Sequence, residues 1–119
     1  KLSAEQGNAP ALHNLGFMHA QGKGVAQDDK TAFKWYLLSA EQGYASAQHN
    51  IGIFYALGQG VAQDFVKAHM WLSIAARDGS LKDAAKVRDD CEKYMTPVQI
   101  AKAQEAASRC IKQNFKNCD

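Results

Sequence analysis

Four histidines, His13, His19, His49 and His69, and three cysteines, Cys91, Cys110 and Cys118, are the side chains best suited to metal or nucleophilic chemistry. His13 and His49 recur 36 positions apart. On stacked helices they would lie one above the other and could share an ion. A zinc-type site needs three or four ligands, and no carboxylate or cysteine stands at a spacing that completes the set. The recurrence alone accounts for the pair, so neither a metal nor a cofactor is expected. His69, beside Trp71, reads as a packing or surface residue. Asp28 and Asp64 could act as acids, but each precedes a helical pattern, where a carboxylate caps free backbone N–H groups. The Gly22–Gly24 and Gly58–Gly60 loops lack the further Gly and the Lys-Ser/Thr of a phosphate loop. No serine has Lys three places on, the arrangement of Ser-x-x-Lys acylating enzymes. No catalytic residue is expected.

What positions these residues is a repeat. Displacing the sequence by 36 places lays residues 4–39 on 40–75 with 18 of 36 positions identical. Ala4-Glu5-Gln6-Gly7 meets Ala40-Glu41-Gln42-Gly43, and Gly24-Val25-Ala26-Gln27-Asp28 meets Gly60-Val61-Ala62-Gln63-Asp64. A third copy starts with Ala76 and Gly79 and then drifts. A fixed period of about 20–50 residues marks a stacked repeat protein. In each copy the apolar spacing predicts two helices: Ala9–Gln21 and Ala45–Leu57 first, then helices running from behind Asp28 and Asp64 to about Gln42 and Arg77. Gly22 and Gly58 are placed to stop the first helices in the left-handed conformation. Trp35 and Trp71 are both expected in the core. No segment alternates with period two, so the fold expected is an all-α solenoid of antiparallel helix pairs.

The divisions expected are residues 1–7 as the end of a truncated preceding repeat, 8–43 and 44–79 as two repeats, and 80–119 as a capping helix pair. In that last pair, helices are expected over Leu81–Tyr94 and Pro97–Phe115, with Thr96 as N-cap and Pro97 in the first turn. The face Val98, Ala101, Glu105, Ser108 and Lys112 is polar enough to meet water.

The 119 residues carry a net charge of +2, with 46% hydrophobic side chains. Basic residues form no clustered face of the kind that holds nucleic acid, and no apolar run reaches the ~20 residues of a membrane-spanning helix.

The pattern Ala11-x-x-x-Leu15-Gly16, Gly22-x-Gly24-Val25-x-x-Asp28, Ala32-x-x-Trp35-Tyr36 resembles the Sel1-like repeat family, relatives of the tetratricopeptide repeats. The segment from Ala84 to Ile100 resembles the closing segment of bacterial members. Val66 in place of Lys30, and His19 in place of Tyr55, are departures at surface or half-buried positions. The resemblance implies that first helices line a concave side and bind a protein or peptide. Carried over by position, the groove residues are Pro10, His13, Phe17, Ala20 and Gln21, then Ser46, His49, Ile53, Ala56 and Leu57. Phe17 and Ile53 could instead pack under a neighbouring helix. Asn14 and Asn50 are better placed to tie adjacent repeats than to hold a ligand.

Cys91 lies on an apolar stripe and reads as a buried free thiol. On one unbroken helix Cys110 and Cys118 stand about 12 Å apart, beyond the ~7 Å a disulfide spans. Asn114 can end that helix in the left-handed conformation, letting Phe115 fold back and Cys118 approach Cys110. The seven residues between them also resemble the spacing of disulfide pairs in secreted relatives. Either a bridge in an exported protein or three thiols in a cytoplasmic one fits; we expect the bridge, and a periplasmic or secreted location. The function expected is that of an interaction module, an adaptor or accessory subunit binding another protein through the concave helix face. A cell-wall-related hydrolase and a purely architectural segment are the alternatives.

Overall fold

The computed structural model describes residues 8–118. The expected end of a preceding repeat, residues 1–7, lies outside them. Six α-helices and no strand are found among the described residues: α1 (Ala9–Gln21), α2 (Asp29–Ala40), α3 (Ala45–Leu57), α4 (Phe65–Ala76), α5 (Lys82–Cys91) and α6 (Pro97–Lys112). A short 3-10 turn, Glu92–Tyr94, follows α5. The helices pack as successive pairs, α1 with α2, α3 with α4, and α5 and α6 both against α4. The result is an elongated body of 44 × 27 × 24 Å.

The recurring Gln-Asp of each loop fastens both of its neighbours. Gln27 Nε2 donates to the carbonyl of Ala20 and Gln63 Nε2 to that of Ala56, satisfying carbonyls freed at the end of the first helix. Asp28 accepts from the N–H groups of Lys30 and Thr31, and Asp64 from that of Lys67. Thr96 and Gln99 form a reciprocal capping box at the start of α6.

The Leu-Gly step has a packing cause. A methyl group at Gly16 would stand 2.7 Å from the Tyr36 ring, and one at Gly52 would stand 2.5 Å from Leu72 Cγ. The helices of each pair meet through hydrogen where any other residue has carbon. Gly52→Ala gains about 1 kcal/mol of helix propensity, but the methyl meets a branch carbon and the Ala68 carbonyl oxygen, neither able to swing away. The clash wins, with a net loss of about 1–3 kcal/mol expected in chemical denaturation. A Gly52→Ala protein as stable as the parent would mean that α3 and α4 are not so closely apposed.

The core runs through Tyr36, Ile51, Phe54, Met70, Trp71, Leu72 and Ile74. The two tryptophans, both expected in the core, differ. Trp71 is fully buried, but Trp35 is only half-buried, with Lys34 Nζ 5.7 Å from its ring. Among the described residues, equivalent positions differ because their helices are covered differently: α4 is packed by α3, α5 and α6, whereas α2 meets α1 and α3.

Helix α6 stops short of Phe115, the expected end. Asn114 and Phe115 both take positive φ, 55° and 66°. The chain folds back, and Cys110 and Cys118 are disulfide-bonded with Cα atoms 5.2 Å apart. The returning Phe115 ring lies 4.8 Å from the Arg77 guanidinium and against Gly43, sealing the edge of the second repeat. Closing so short a loop removes unfolded-chain entropy worth about 2–3 kcal/mol. Cys118→Ser is expected to lower stability by that amount. Native protein isolated without reductant should label at one thiol, Cys91, slowly, because burial and then Asp90 and Glu92 push that thiol up. Three fast-labelling thiols would contradict the bridge.

Candidate partner-binding groove

The residues carried over to a binding surface divide into three kinds. Phe17 and Leu57 are exposed, at 42% and 64%, as is Gln21. Ser46, His49 and Ile53 are half-buried along the same helix as Leu57. His13 is engaged within the protein. Its ring packs between Tyr36 and Tyr44, at 5.3 and 5.4 Å, and Asn50 Nδ2 donates to its Nε2 at 3.1 Å. Asn50 therefore joins one repeat to the next.

The same joint is unmade one repeat later. Adding 36 to Tyr44 and Asn50 gives Ser80 and Lys86. With a small Ser80 in place of the tyrosine, an open recess of about 400 Å³ lies among His49, Ser80, Leu81, Lys82 and Asp83. The Nε2 of His49 is buried there without a hydrogen-bond partner.

Further along the α3–α5 seam lies a second recess of about 490 Å³. Ala56, Leu57, Gln63, Phe65, Val87, Asp90, Cys91 and Tyr94 line it. Its lining is mostly apolar. Tyr94 is 70% exposed and stacks on Phe65, ring centroids 5.1 Å apart. Val87 and Tyr94 read in the sequence as part of the apolar stripe of Cys91 and carry no groove assignment, because the third copy has drifted too far for positions to be carried over. The available signal was the spacing Asp83, Val87, Asp90, Tyr94, one face of a helical path.

Burial pulls the pKa of His13 and of His49 below the ordinary 6.5, with Asp83 opposing the effect at His49. Both rings therefore favour the neutral form when folded, as the acceptor role of His13 Nε2 requires. The folded state binds fewer protons than the unfolded one below pH 6.5. Stability is then full above that value and falls as the pH drops toward the lowered folded values. Thermal melts on either side of pH 6.5 should show a lower midpoint on the acid side, and His13→Gln should flatten the difference. A midpoint that rises with acid would overturn this.

His69, read as packing or surface, is buried, and its Nε2 donates to Glu92 Oε2 at 2.8 Å. Ser73 Oγ lies 3.5 Å from the other ring nitrogen. The composition is that of a hydrolytic triad, with the serine–histidine contact longer than the about 2.6–3.2 Å of a base poised on its nucleophile. The geometry is a tether from α4 to the turn after α5. Among the described residues, no three His, Cys, Asp or Glu side chains gather as metal ligands.

Residues 9–44 and 45–80 each match the family model of the Sel1 repeat. No curated protein matches the chain. Among solved structures, a protective antigen of uropathogenic Escherichia coli with an SLR fold superposes with TM-score 0.90 at 32% identity, over 97% of this chain and 25% of that protein. A Sel1 repeat protein from Oxalobacter formigenes superposes with TM-score 0.70 at 40% identity, over 73% of this chain and 65% of that one.

Proposed function

The chain belongs to the Sel1 repeat family and is a protein-interaction repeat module; from that premise we propose that it acts as an adaptor or accessory subunit, binding another protein along its first-helix, concave face. The observation that carries this reading is the groove between α3 and α5, where Leu57 and Tyr94 stay 64% and 70% exposed beside Phe65 and Val87. Large apolar side chains clustered on an open surface are unfavourably hydrated, and burying them under a partner lowers the free energy. Phe17 and Gln21 hold the register positions of Ile53 and Leu57 one repeat back, and Ser46, His49 and Ile53 lie half-buried on α3. The Cys110–Cys118 bridge supports an exported, periplasmic or secreted location, since such bonds persist in oxidising compartments.

The test is affinity capture from an extract of the source cells. Parent protein should retain a partner that Leu57→Glu does not retain. A partner held equally by both proteins would place the interaction elsewhere.

A further inference from the structure

We infer that the α3–α5 groove receives a basic amphipathic segment of another protein, its Lys or Arg seated at His49 and Asp83 and its apolar side chain laid among Leu57, Phe65, Val87 and Tyr94. This rests on the reading of the groove as a partner site and adds the chemistry of what enters it.

Three observations converge. Asp83 is exposed and forms no ion pair with a described residue. The buried Nε2 of His49, in the same recess, lacks the donor that Asn50 supplies to His13. The Asp83 carboxylate calls for a cationic N–H donor, and in the Nδ1-protonated tautomer of His49 the unpartnered Nε2 accepts from the same donor. The second recess supplies the apolar half. Its one lining charge is Asp90, whose partner Lys93 stands 3.4 Å away with both side chains largely in water. Such an exposed pair is weak and readily exchanged for an incoming cation.

The spacing constrains the ligand. His49 and Leu57 are eight positions apart on α3, about 12 Å. The partner must therefore carry its basic and apolar side chains about two helical turns apart, or about four residues apart if extended. Lys82 lines the first recess and Lys86 holds the register position of Asn50, both exposed, so an acidic ligand is the natural competitor and must be tested directly.

The experiment is selection of a phage-displayed library of random peptides on the immobilised disulfide-bonded protein. Enrichment should be for Lys or Arg at that spacing from Leu, Ile, Phe or Met. A selected synthetic peptide should bind the Asp83→Asn, Asp90→Asn double variant about tenfold more weakly, with less dependence on salt between about 0.05 and 0.5 M. Enrichment of acidic peptides that Lys82→Ala abolishes overturns the inference while leaving the groove a binding site. So does enrichment of apolar peptides with no charge bias. If the purified protein is a dimer that Leu57→Glu splits, the occupant is a second copy and the inference fails. Selected peptides that bind Leu57→Glu as well as the parent remove the groove itself, and the proposed function with it.

Discussion

Trp71→Ala is expected to cost about 3–5 kcal/mol, the usual loss for truncating a buried aromatic ring, and to lower the melting temperature by many degrees. Trp71 is 0% exposed, and the neighbouring positions Met70 and Ile74 are buried with it. Removing the indole leaves a cavity on α4, the helix that α3, α5 and α6 share. The equivalent Trp35→Ala should cost about 1–2 kcal/mol, within the range of ordinary substitutions. Position 34 is an exposed lysine where 70 is methionine, and Leu38 is 40% exposed where Ile74 is buried. Urea denaturation of the two single variants settles the matter. Equal losses would mean that α2 is covered as completely as α4.

Leu57→Glu should abolish partner binding while barely moving the melting temperature. Leu57 is 64% exposed at the end of α3, so its replacement breaks little internal packing. In the complex, the glutamate would have to give up its hydration inside an apolar recess next to Asp90. Burying an unpaired carboxylate costs several kcal/mol, enough to reduce a micromolar affinity below detection. Leu38→Glu on α2 is the control, a comparable change on another surface. A loss of binding by both variants would mean that the partner is not confined to the groove, and a fall in stability with Leu57→Glu would mean that the residue supports the fold.

The helix pairs were legible in the sequence because repetition prints the same signals twice. Gly22 and Gly58 stop helices in the left-handed conformation, at φ 71° and 69°, and Asp28 and Asp64 cap the next helices as their positions predict. Where the repeat drifts, the reading loses resolution. Tyr94 and Phe65 stack across the groove from segments with no shared register, so no spacing links them. Trp35 and Trp71 read alike because a repeat pattern records position within the unit and says nothing of what covers the unit from outside. The polar Lys34 opposite apolar Met70 was the signal that separated them. His13 and His49 also read alike, and it is their neighbours one period on, Tyr44 and Asn50 against Ser80 and Lys86, that distinguish a closed joint from an open one.

Whether a partner lies in the proposed α3–α5 groove can be read by site-specific photocrosslinking. p-Benzoylphenylalanine is introduced in turn in place of Leu57, Tyr94, Leu38 and Ile111, all exposed apolar or aromatic residues and the last two on α2 and α6. Irradiation with the captured partner should give a covalent adduct from the Leu57 and Tyr94 positions and none from Leu38 or Ile111. Adducts from the α2 or α6 positions alone would place the partner on the opposite layer and contradict the groove.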